Sequence, residues 1–268
     1  ELTTNSKHNF IFLGSDECDI SDINSLELIV EEYSINAIIN CAAYTAVDNA
    51  EDEAEKAYLV NETGVKNINT IAIEYSLKYI HISTDYVFDG TAKSPYKESD
   101  KINPIGVYGL SKRKGEEIVI NSISDAIIIR TSWLYSSYGN NFVKTMIRLG
   151  SKMEELNVVS DQFGSPTYAR DLAKACILII ESDKEISANG RVYHFANHGE
   201  TSWAEFAQEI FNQKNINCKV NHITTEEYPT KADRPKYSVL NTEKIEKDFG
   251  VNNQTWKEAL RICLSKIK

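Results

Sequence analysis

The chain has 268 residues, 42% of them hydrophobic and 25% charged, and a formal net charge of −10. An acidic chain of this composition is typical of a globular enzyme and argues against a general nucleic-acid binder, which would present a basic face. It contains no apolar run of about 20 residues, and we expect no signal peptide at its start. We therefore predict a cytoplasmic protein that binds neither membranes nor nucleic acids.

The first part of the chain alternates short β-branched or aromatic runs with longer segments of helical periodicity. The predicted strands cover residues 9–13, 37–41, 79–83 and 126–130. The predicted helices cover residues 21–34, 48–75 and 106–117, and Gly64 marks a break or a close contact in the second of them. Strands separated by helices of this length indicate βαβ units and a parallel sheet.

Beyond Trp133 the segments are shorter and more polar. The predicted helices cover residues 142–151, 168–181, 202–213 and 253–267, and the predicted strands cover residues 156–160, 191–195 and 217–223. Ser202 and Glu205 have the spacing of a capping box. We infer a nucleotide-binding layer followed by a smaller, interrupted substrate lobe.

The five cysteines are widely spread and form no C-x-x-C pair. This spacing argues against a zinc site and against a disulfide framework. We predict reduced thiols and assign no metal ligands.

The candidate chemistry lies between residues 79 and 112. Thr84 and Asp85 stand at the end of a predicted strand, where side chains emerge from the sheet. Tyr108 and Lys112 are four residues apart on the next helix, so they lie on one face, one turn from each other. A Y-x-x-x-K spacing alone is common by chance. Its place after a strand-end S-T-D, in a chain that alternates strands and helices, favours a functional role.

An ammonium group close to a phenol lowers the phenol's pKa from its usual value of about 10. A tyrosine tuned in this way by Lys112 can give a proton to a carbonyl oxygen, or take one from an alcohol, near neutral pH. The Thr84 hydroxyl can hydrogen-bond the same oxygen. The three residues therefore suit the interconversion of a ketone and an alcohol.

Segments along essentially the whole chain resemble the extended short-chain dehydrogenase/reductase superfamily and, within it, the dTDP-4-dehydrorhamnose reductases. The similar segments are NCAAYTAVDNAE, ISTDYVFDG, NPIGVYGLSKRKGE, IIIRTSWLY, GNNFVKTM, DQFGSPTYARDLA and RPKYSVL. The resemblance implies an α/β fold with a Rossmann-type, doubly wound parallel sheet for NAD(P)H in residues 1–134. It places a smaller C-terminal substrate-binding lobe mainly in residues 135–268, with some segments returning to the first domain.

The resemblance also implies a reaction, the reduction of the C4 ketone of dTDP-4-dehydro-6-deoxy-L-mannose to dTDP-L-rhamnose. This step belongs to dTDP-rhamnose biosynthesis for cell-surface polysaccharide. Tyr108 matches the family's proton donor, and Lys112 matches the lysine that lowers the pKa of that tyrosine and holds the nicotinamide ribose. Thr84 matches the family's hydroxyl that hydrogen-bonds the substrate's oxygen. Asp85 would line the substrate side of the site.

Further cofactor contacts follow from the same resemblance. Ala42, Ala43 and Tyr44 leave a strand where the cofactor passes, although an Ala-Ala pair is also explained by simple packing. Asp19 and Ile20 match the family's adenine-contact position, while Asp19 can equally cap the next helix.

Three further residues are candidates for substrate binding. Trp133 resembles the family's substrate-binding tryptophan, although a tryptophan at a strand end is more often part of the core. Asn141 either caps a helix or contacts the substrate. Arg234 lies in a basic segment and could grip the diphosphate or the pyrimidine in a bidentate way, or be a solvated loop residue.

The glycine-rich turn that holds the cofactor's pyrophosphate in this fold is not in the sequence. We expect that the sequence lacks the first strand and turn of the domain. Asp16 and Glu17 follow the first predicted strand, and carboxylates near the adenosine ribose favour a free 2′-hydroxyl. We therefore predict NADH over NADPH, in a family that includes enzymes accepting either.

Two other functions compete with the reductase. One is a reductase or epimerase for another nucleotide sugar, and the other is a non-catalytic, nucleotide-binding regulatory subunit. The presence of Tyr108, Lys112 and Thr84 favours catalysis. Because the family sometimes forms metal-bridged dimers, a homodimer with Mg²⁺ at its interface is a further expectation, with no ligands assigned.

Overall fold

A four-stranded parallel sheet lies at the centre of the computed structural model, which describes residues 7–122, 126–184 and 191–267. Its strand order is β1 (Ala37–Asn40), β2 (Lys78–Thr84), β3 (Ile127–Thr131) and β8 (Val192–His194). β3 is buried along its whole length, as expected for a continuous β-branched run covered on both faces. The predicted parallel α/β sheet is confirmed.

The other elements surround this sheet or form the C-terminal part of the fold. The helices are α1 (Ile23–Tyr33), α2 (Val47–Ala50), α3 (Ala54–Tyr58), α4 (Val65–Glu74), α5 (Val107–Ile120), α6 (Phe142–Gly150), α7 (Ala169–Glu181), α8 (Trp203–Lys214), α9 (Glu243–Phe249) and α10 (Trp256–Leu264). The remaining strands are β4 (Leu134–Tyr135), β5 (Glu155–Val159), β6 (Phe163–Gly164), β7 (Thr167–Tyr168), β9 (Thr201–Ser202) and β10 (Lys219–Ile223).

Helices cover both faces of the central sheet. Successive residues of a strand point to opposite faces, so Tyr79 packs with α1, α4 and α5 on one side and Ile80 packs with α7 on the other. α9 adds Ile245 to the second layer. This arrangement leaves the carboxyl ends of β1, β2 and β3 at one edge of the sheet.

A separate apolar cluster fills the C-terminal part of the fold. α6, α8 and α10 pack around Phe206 and Trp256, beside the parallel pair β5 and β10. Leu172 and Ile245 belong instead to the layer beneath the central sheet. The division at residues 134 and 135 stays a prediction. In the described ranges, no helix is both long and apolar enough to cross a membrane.

The predicted strand at residues 9–13 was wrong, because this segment carries no ladder pairing. In a doubly wound sheet the second strand of the domain lies beside the first, and the described residues contain no strand before residue 37. The apolar pattern is present, but a strand needs a partner for its backbone hydrogen bonds.

The long helix predicted over residues 48–75 is divided into α2, α3, a π-helical turn (Leu59–Gly64) and α4. Gly64 makes the close contact that the sequence indicated: a Cβ there would lie 2.5 Å from the Ile20 side chain. The sequence missed α9 altogether. The cap of α1 is Asp22, not Asp19 as the sequence allowed.

A buried ion pair connects α5 to β3. Arg130 and Glu116 are both almost fully inaccessible, and the guanidinium donates to both carboxylate oxygens, at 2.7 Å from Nη2 and 2.9 Å from Nε. Replacing Glu116 by glutamine leaves a buried, uncompensated charge. We expect it to lower the free energy of unfolding by about 3–5 kcal/mol, measured by urea denaturation.

Glu117, one residue further along α5, provides the matched control. It pairs with Arg113 at 2.8 Å, but both side chains are about one third exposed. Glu117→Gln should cost less than about 1 kcal/mol. Equal losses in the two variants would contradict the role given to the buried pair.

Candidate active site

The candidate site lies where β2 ends and a 3-10 turn (Asp85–Val87) begins. Thr84 caps this turn: its Oγ1 accepts a hydrogen bond from the backbone N–H of Tyr86 (3.2 Å) and donates to Asp85 Oδ1 (3.1 Å). The Thr84 side chain also lies close enough to the phenol of Tyr108 to lower the pKa of that phenol. The structure therefore brings the strand-end hydroxyl and the helical phenol next to each other.

Two glycines allow α5 to lie this close to its neighbours. A Cβ at Gly109 would lie 2.2 Å from the carbonyl oxygen of Tyr86, and a Cβ at Gly115 would lie 2.4 Å from that of Asn61. Any other residue at either position would push the helix away. The residue next to Tyr108 thus sets the position of the phenol relative to β2.

Tyr108 is a half-buried residue in the first turn of α5, with its ring edge-on to that of Tyr86 at 5.7 Å between centroids. Loss of water contact raises the pKa of Tyr108 to about 12; the bond to Thr84 opposes this rise and the charge of Asp85 adds to it. In the structure the effect of burial dominates, and the predicted lowering of this pKa by Lys112 stays a prediction.

The Lys112 side chain is 1% exposed, and its ammonium group donates a hydrogen bond to the carbonyl oxygen of Ile82 at 2.7 Å. Burial lowers the pKa of Lys112 to about 8, while Glu116, one turn further along α5, and Cys41 raise it. A group with this pKa is mostly protonated at neutral pH. Lys112 therefore places a buried positive charge one turn from Tyr108 and ties α5 to β2.

Asp85 is buried beside Thr84. Burial raises the pKa of its carboxyl group to about 6, and hydrogen bonds from Ser238 and Thr84 act against this rise. The side chain is thus mostly ionised at neutral pH. It lies on the strand-end turn capped by Thr84, the residue predicted to contact the substrate's oxygen.

The loop after β1 carries Ala42, Ala43 and Tyr44, and it is fixed from two sides. The backbone N–H of Ala42 donates to Asn40 Oδ1 (3.0 Å), and that of Tyr44 donates to Asn61 Oδ1 (2.9 Å). Asn61 also donates to Ser111 Oγ on α5 at 2.9 Å. This fully buried asparagine therefore links the candidate cofactor loop to the Tyr108 helix, although it gave no signal in the sequence beyond a polar residue in an apolar helical pattern.

Asp19 and Ile20 lie before α1. The Asp19 carboxylate accepts hydrogen bonds from the backbone and the hydroxyl of Ser21 at 2.9 and 2.8 Å, and these bonds lower its pKa. Ile20 packs against Gly64. Asp19 thus fixes the turn before α1 but does not cap that helix, which Asp22 does. The adenine contact stays a prediction.

Arg234 forms a bidentate ion pair with Asp48 at the start of α2. Its Nη1 and Nη2 donate to the two carboxylate oxygens at 3.1 and 2.7 Å. The positive charge also acts on the nearby Tyr86, the ring neighbour of Tyr108. The structure therefore brings Arg234 to the candidate site, held there by a residue that the sequence analysis did not single out.

Trp133 and Asn141 lie in the C-terminal part. Trp133 has a left-handed backbone (φ 45°) and stacks on Trp203 at 3.4 Å. Because a bulky residue rarely adopts a positive φ, this conformation marks a position constrained by its surroundings. Asn141 caps α6: its Oδ1 accepts from Lys144 N (3.2 Å), and its Nδ2 donates to the carbonyl oxygen of Ser136. Capping is thus the role that the structure gives it.

In the described ranges, no three His, Cys, Asp or Glu side chains come together as ligands for a metal ion. Mg²⁺ at a dimer interface stays a prediction, as does the dimer itself.

Known proteins resemble the chain along its whole length. The family model described as the RmlD substrate binding domain matches residues 1–268. The chain is 42% identical over 269 residues to the dTDP-4-dehydrorhamnose reductase of Aggregatibacter actinomycetemcomitans, covering 97% of this chain and 91% of the relative. It is also 42% identical to the spore coat polysaccharide biosynthesis protein SpsK of Bacillus subtilis (strain 168), over 95% of this chain and 87% of that protein.

Two solved structures are similar in both sequence and fold. A dTDP-4-dehydrorhamnose reductase from Clostridium acetobutylicum ATCC 824 matches with a TM-score of 0.91 and 40% identity, over 98% of this chain and 91% of the other. The dTDP-4-dehydrorhamnose reductase from Bacillus anthracis str. Ames, solved in complex with NADP, matches with a TM-score of 0.89 and 40% identity, over 95% and 89%.

The parallel sheet, with Thr84 and Tyr108 in contact at its carboxyl edge, is that of a Rossmann-type oxidoreductase that works with a nicotinamide cofactor. The sequence matches define the group more narrowly. The chain belongs to the dTDP-4-dehydrorhamnose reductase family.

Proposed function

We propose that the protein reduces the C4 ketone of dTDP-4-dehydro-6-deoxy-L-mannose to the alcohol of dTDP-L-rhamnose, with NADH or NADPH as the reductant. Membership of the family supports this reaction. The observation that carries it is the placement of the Thr84 hydroxyl beside the phenol of Tyr108 at the carboxyl end of β2, with the buried cation of Lys112 one turn away. Two hydroxyl groups that meet at one point can both engage a single carbonyl oxygen.

The protonation states suit reduction in particular. A phenol whose pKa is raised to about 12 keeps its proton at neutral pH, which is the state that a proton donor to a ketone needs. Thr84 orients the carbonyl oxygen, and Tyr108 gives its proton to that oxygen as the alcohol forms. The Lys112 ammonium stabilises the negative charge left on the phenol oxygen.

The residues present fit the nicotinamide half of the cofactor. Ala42 is exposed and Ala43 half-buried at the carboxyl end of β1, so their small side chains allow a cofactor to approach the backbone closely. Lys112 lies near the start of this loop, because its charge acts on Cys41. When bound, the reduced nicotinamide supplies the hydride. Asp19 and Ile20 are proposed for the adenine, and Tyr44 for the same groove as the two alanines.

The sugar nucleotide is assigned to the opposite side of Tyr108. Asp85 lies on the strand-end turn, Arg234 lies near Tyr86, and Trp133 presents the ring that stacks on Trp203. Asn141 is retained only as the cap that fixes the start of α6. The NADH preference predicted from Asp16 and Glu17 has no support from the relatives, one of which was solved with NADP.

Direct assay tests the proposal. The protein is mixed with NADH or NADPH and dTDP-4-dehydro-6-deoxy-L-mannose, the absorbance of the reduced nicotinamide is followed, and the UDP- and GDP-linked analogues are run in parallel. We expect stoichiometric cofactor oxidation with the dTDP-sugar and at least about tenfold lower kcat/KM with the analogues. Sugar conversion without net cofactor oxidation would indicate an epimerase instead, and binding without turnover would indicate a regulatory subunit.

Replacing Arg234 by alanine should raise KM for the dTDP-sugar about tenfold or more, because the proposed charge-assisted contact of the guanidinium with the substrate's diphosphate is lost. KM for the nicotinamide cofactor should change by less than about threefold. Steady-state kinetics with each substrate varied in turn measures both effects.

Lys236→Ala is the matched control for Arg234→Ala. Lys236 is exposed, lies two residues away in the same basic segment and carries the same charge. If both variants raise KM for the sugar equally, a general field effect rather than a specific contact explains the result. If Arg234→Ala raises both KM values equally, Arg234 is a structural residue.

A further inference from the structure

One carboxylate holds a whole segment of the C-terminal part against the nucleotide-binding part. Besides its two hydrogen bonds from Arg234, Asp48 Oδ1 accepts one from the backbone N–H of Ala232 at 3.1 Å. The guanidinium lowers the pKa of Asp48, so its side chain stays ionised well below neutral pH. A charged acceptor that binds both a side chain and the backbone fixes the path of the chain, not only one side chain.

Two more contacts hold residues 231–235, called here the 231–235 segment. Lys231 forms an ion pair with Asp52, four residues beyond Asp48. Pro235 packs against Gly90, which has a left-handed backbone (φ 78°) and where a Cβ would lie 2.6 Å from the proline. Both ends of the segment are therefore attached, one by charge and the other by close packing.

The attached segment borders the candidate active site. Ala232 and Pro235 line a small cavity together with Tyr86 and Tyr108. On the other side of the cavity, Glu51 Oε1 accepts a hydrogen bond from the backbone N–H of Val107, at the first turn of α5 (2.9 Å). Acidic residues in α2 and directly after it thus contact both the 231–235 segment and the start of α5.

From this geometry we propose that Asp48 is a positioning residue for the sugar-nucleotide site. It fixes the guanidinium of Arg234 and the backbone of the 231–235 segment as one wall beside Tyr108, and an anionic diphosphate then meets an arginine that is already in place. The kinetic part of this inference rests on the function proposed above. The structural part does not.

The two ion pairs contribute unequally. The side chains of Lys231 and Asp52 are 62% and 59% exposed, and an exposed pair is worth little in water. The Arg234 side chain is only 21% exposed, and its pair with Asp48 is bidentate. Asparagine at position 48 would keep one acceptor oxygen but turn an NH2 group towards the guanidinium, donor against donor. Asp48→Asn should therefore release the segment, whereas Asp52→Asn should have a small effect.

Hydrogen exchange measures the release without any substrate. The amide of Ala232, followed by NMR or in a peptide covering residues 230–236, should exchange about tenfold faster in Asp48→Asn than in the wild type. Glu55→Gln, which removes the same charge from an exposed position on α3, should leave it unchanged. Unchanged exchange in Asp48→Asn, or equal acceleration in both variants, would overturn the positioning role.

Kinetics measures the consequence for the site. Asp48→Asn should raise KM for the dTDP-sugar about five- to tenfold, with kcat and the KM for the cofactor changed by less than about twofold. A lower KM for the sugar would overturn the inference, since it would mean that Asp48 only repels the diphosphate. If the wild type turns over no sugar nucleotide, the proposed function fails, while the exchange result still decides whether Asp48 holds the segment.

Discussion

Replacing Tyr108 by phenylalanine should lower kcat by about 10³-fold, within the range that a positioned proton donor contributes. The substitution removes only the hydroxyl group. The ring can keep its edge-on contact with Tyr86, and α5 can keep its approach to the turn after β2. Cofactor binding, followed by fluorescence of the reduced nicotinamide, should therefore change by less than about threefold.

A remote tyrosine controls for the loss of a hydrogen-bonded phenol hydroxyl in general. The Tyr75 hydroxyl donates to Glu31 on α1 at 3.2 Å, on the opposite side of the fold from the strand-end site. Tyr75→Phe should keep kcat within about twofold of the wild type. Near-normal turnover in Tyr108→Phe, at any pH between 6 and 9, would remove Tyr108 from the mechanism.

The sequence predicted the central part of this site because its features are local. The four-residue spacing of Tyr108 and Lys112 fixes their common helix face, and the β-branched run before Thr84 fixes the strand end. Both features depend on backbone geometry that the sequence pattern determines. The structure accordingly places the Thr84 hydroxyl beside the phenol of Tyr108.

The properties that the sequence did not predict depend on long-range packing. Asp48 and Arg234 are 186 residues apart in the chain, and no local pattern indicates their pairing. The direction of the pKa shift of Tyr108 depends on how completely its surroundings exclude water, which a helix spacing does not determine. The same holds for Trp133, whose stacking on Trp203 joins two separate segments.

The predictions of secondary structure were wrong where contacts with other segments of the chain determine the conformation. Residues 9–13 have the apolar pattern of a strand but no strand partner among the residues that the structure describes. The helical pattern over residues 48–75 continues through a π-helical turn that places Asn61 beside Ser111. In both segments hydrophobic periodicity was read correctly, but tertiary contacts determine the conformation.

Replacing Lys112 by methionine should lower kcat at pH 7 by about 10- to 100-fold. An ammonium group about 6 Å from a developing phenolate, at an effective dielectric constant of about 20, stabilises that phenolate by up to about 3 kcal/mol. The pH dependence should identify the cause. Because the pKa of Lys112 is lowered to about 8, the charge is present below that pH and is lost above it. The wild-type kcat should therefore fall as the pH rises above 8, whereas the kcat of Lys112→Met should stay flat between pH 7 and 9.5.

Stability gives a second, substrate-independent measurement of the same charge. The pKa of Lys112 is lower in the folded protein than its usual value of 10.5, because burial disfavours the protonated form. The unfolded chain thus binds more protons between pH 8 and 10.5, so the wild type should gain stability as the pH rises through this range. Lys112→Met lacks this titration and should be more stable than the wild type at pH 7, by up to about 3 kcal/mol. Urea denaturation at pH 7 and pH 9.5 measures the difference, which should shrink at the higher pH. A difference independent of pH, together with an unchanged pH profile of kcat, would mean that Lys112 does not act through its charge.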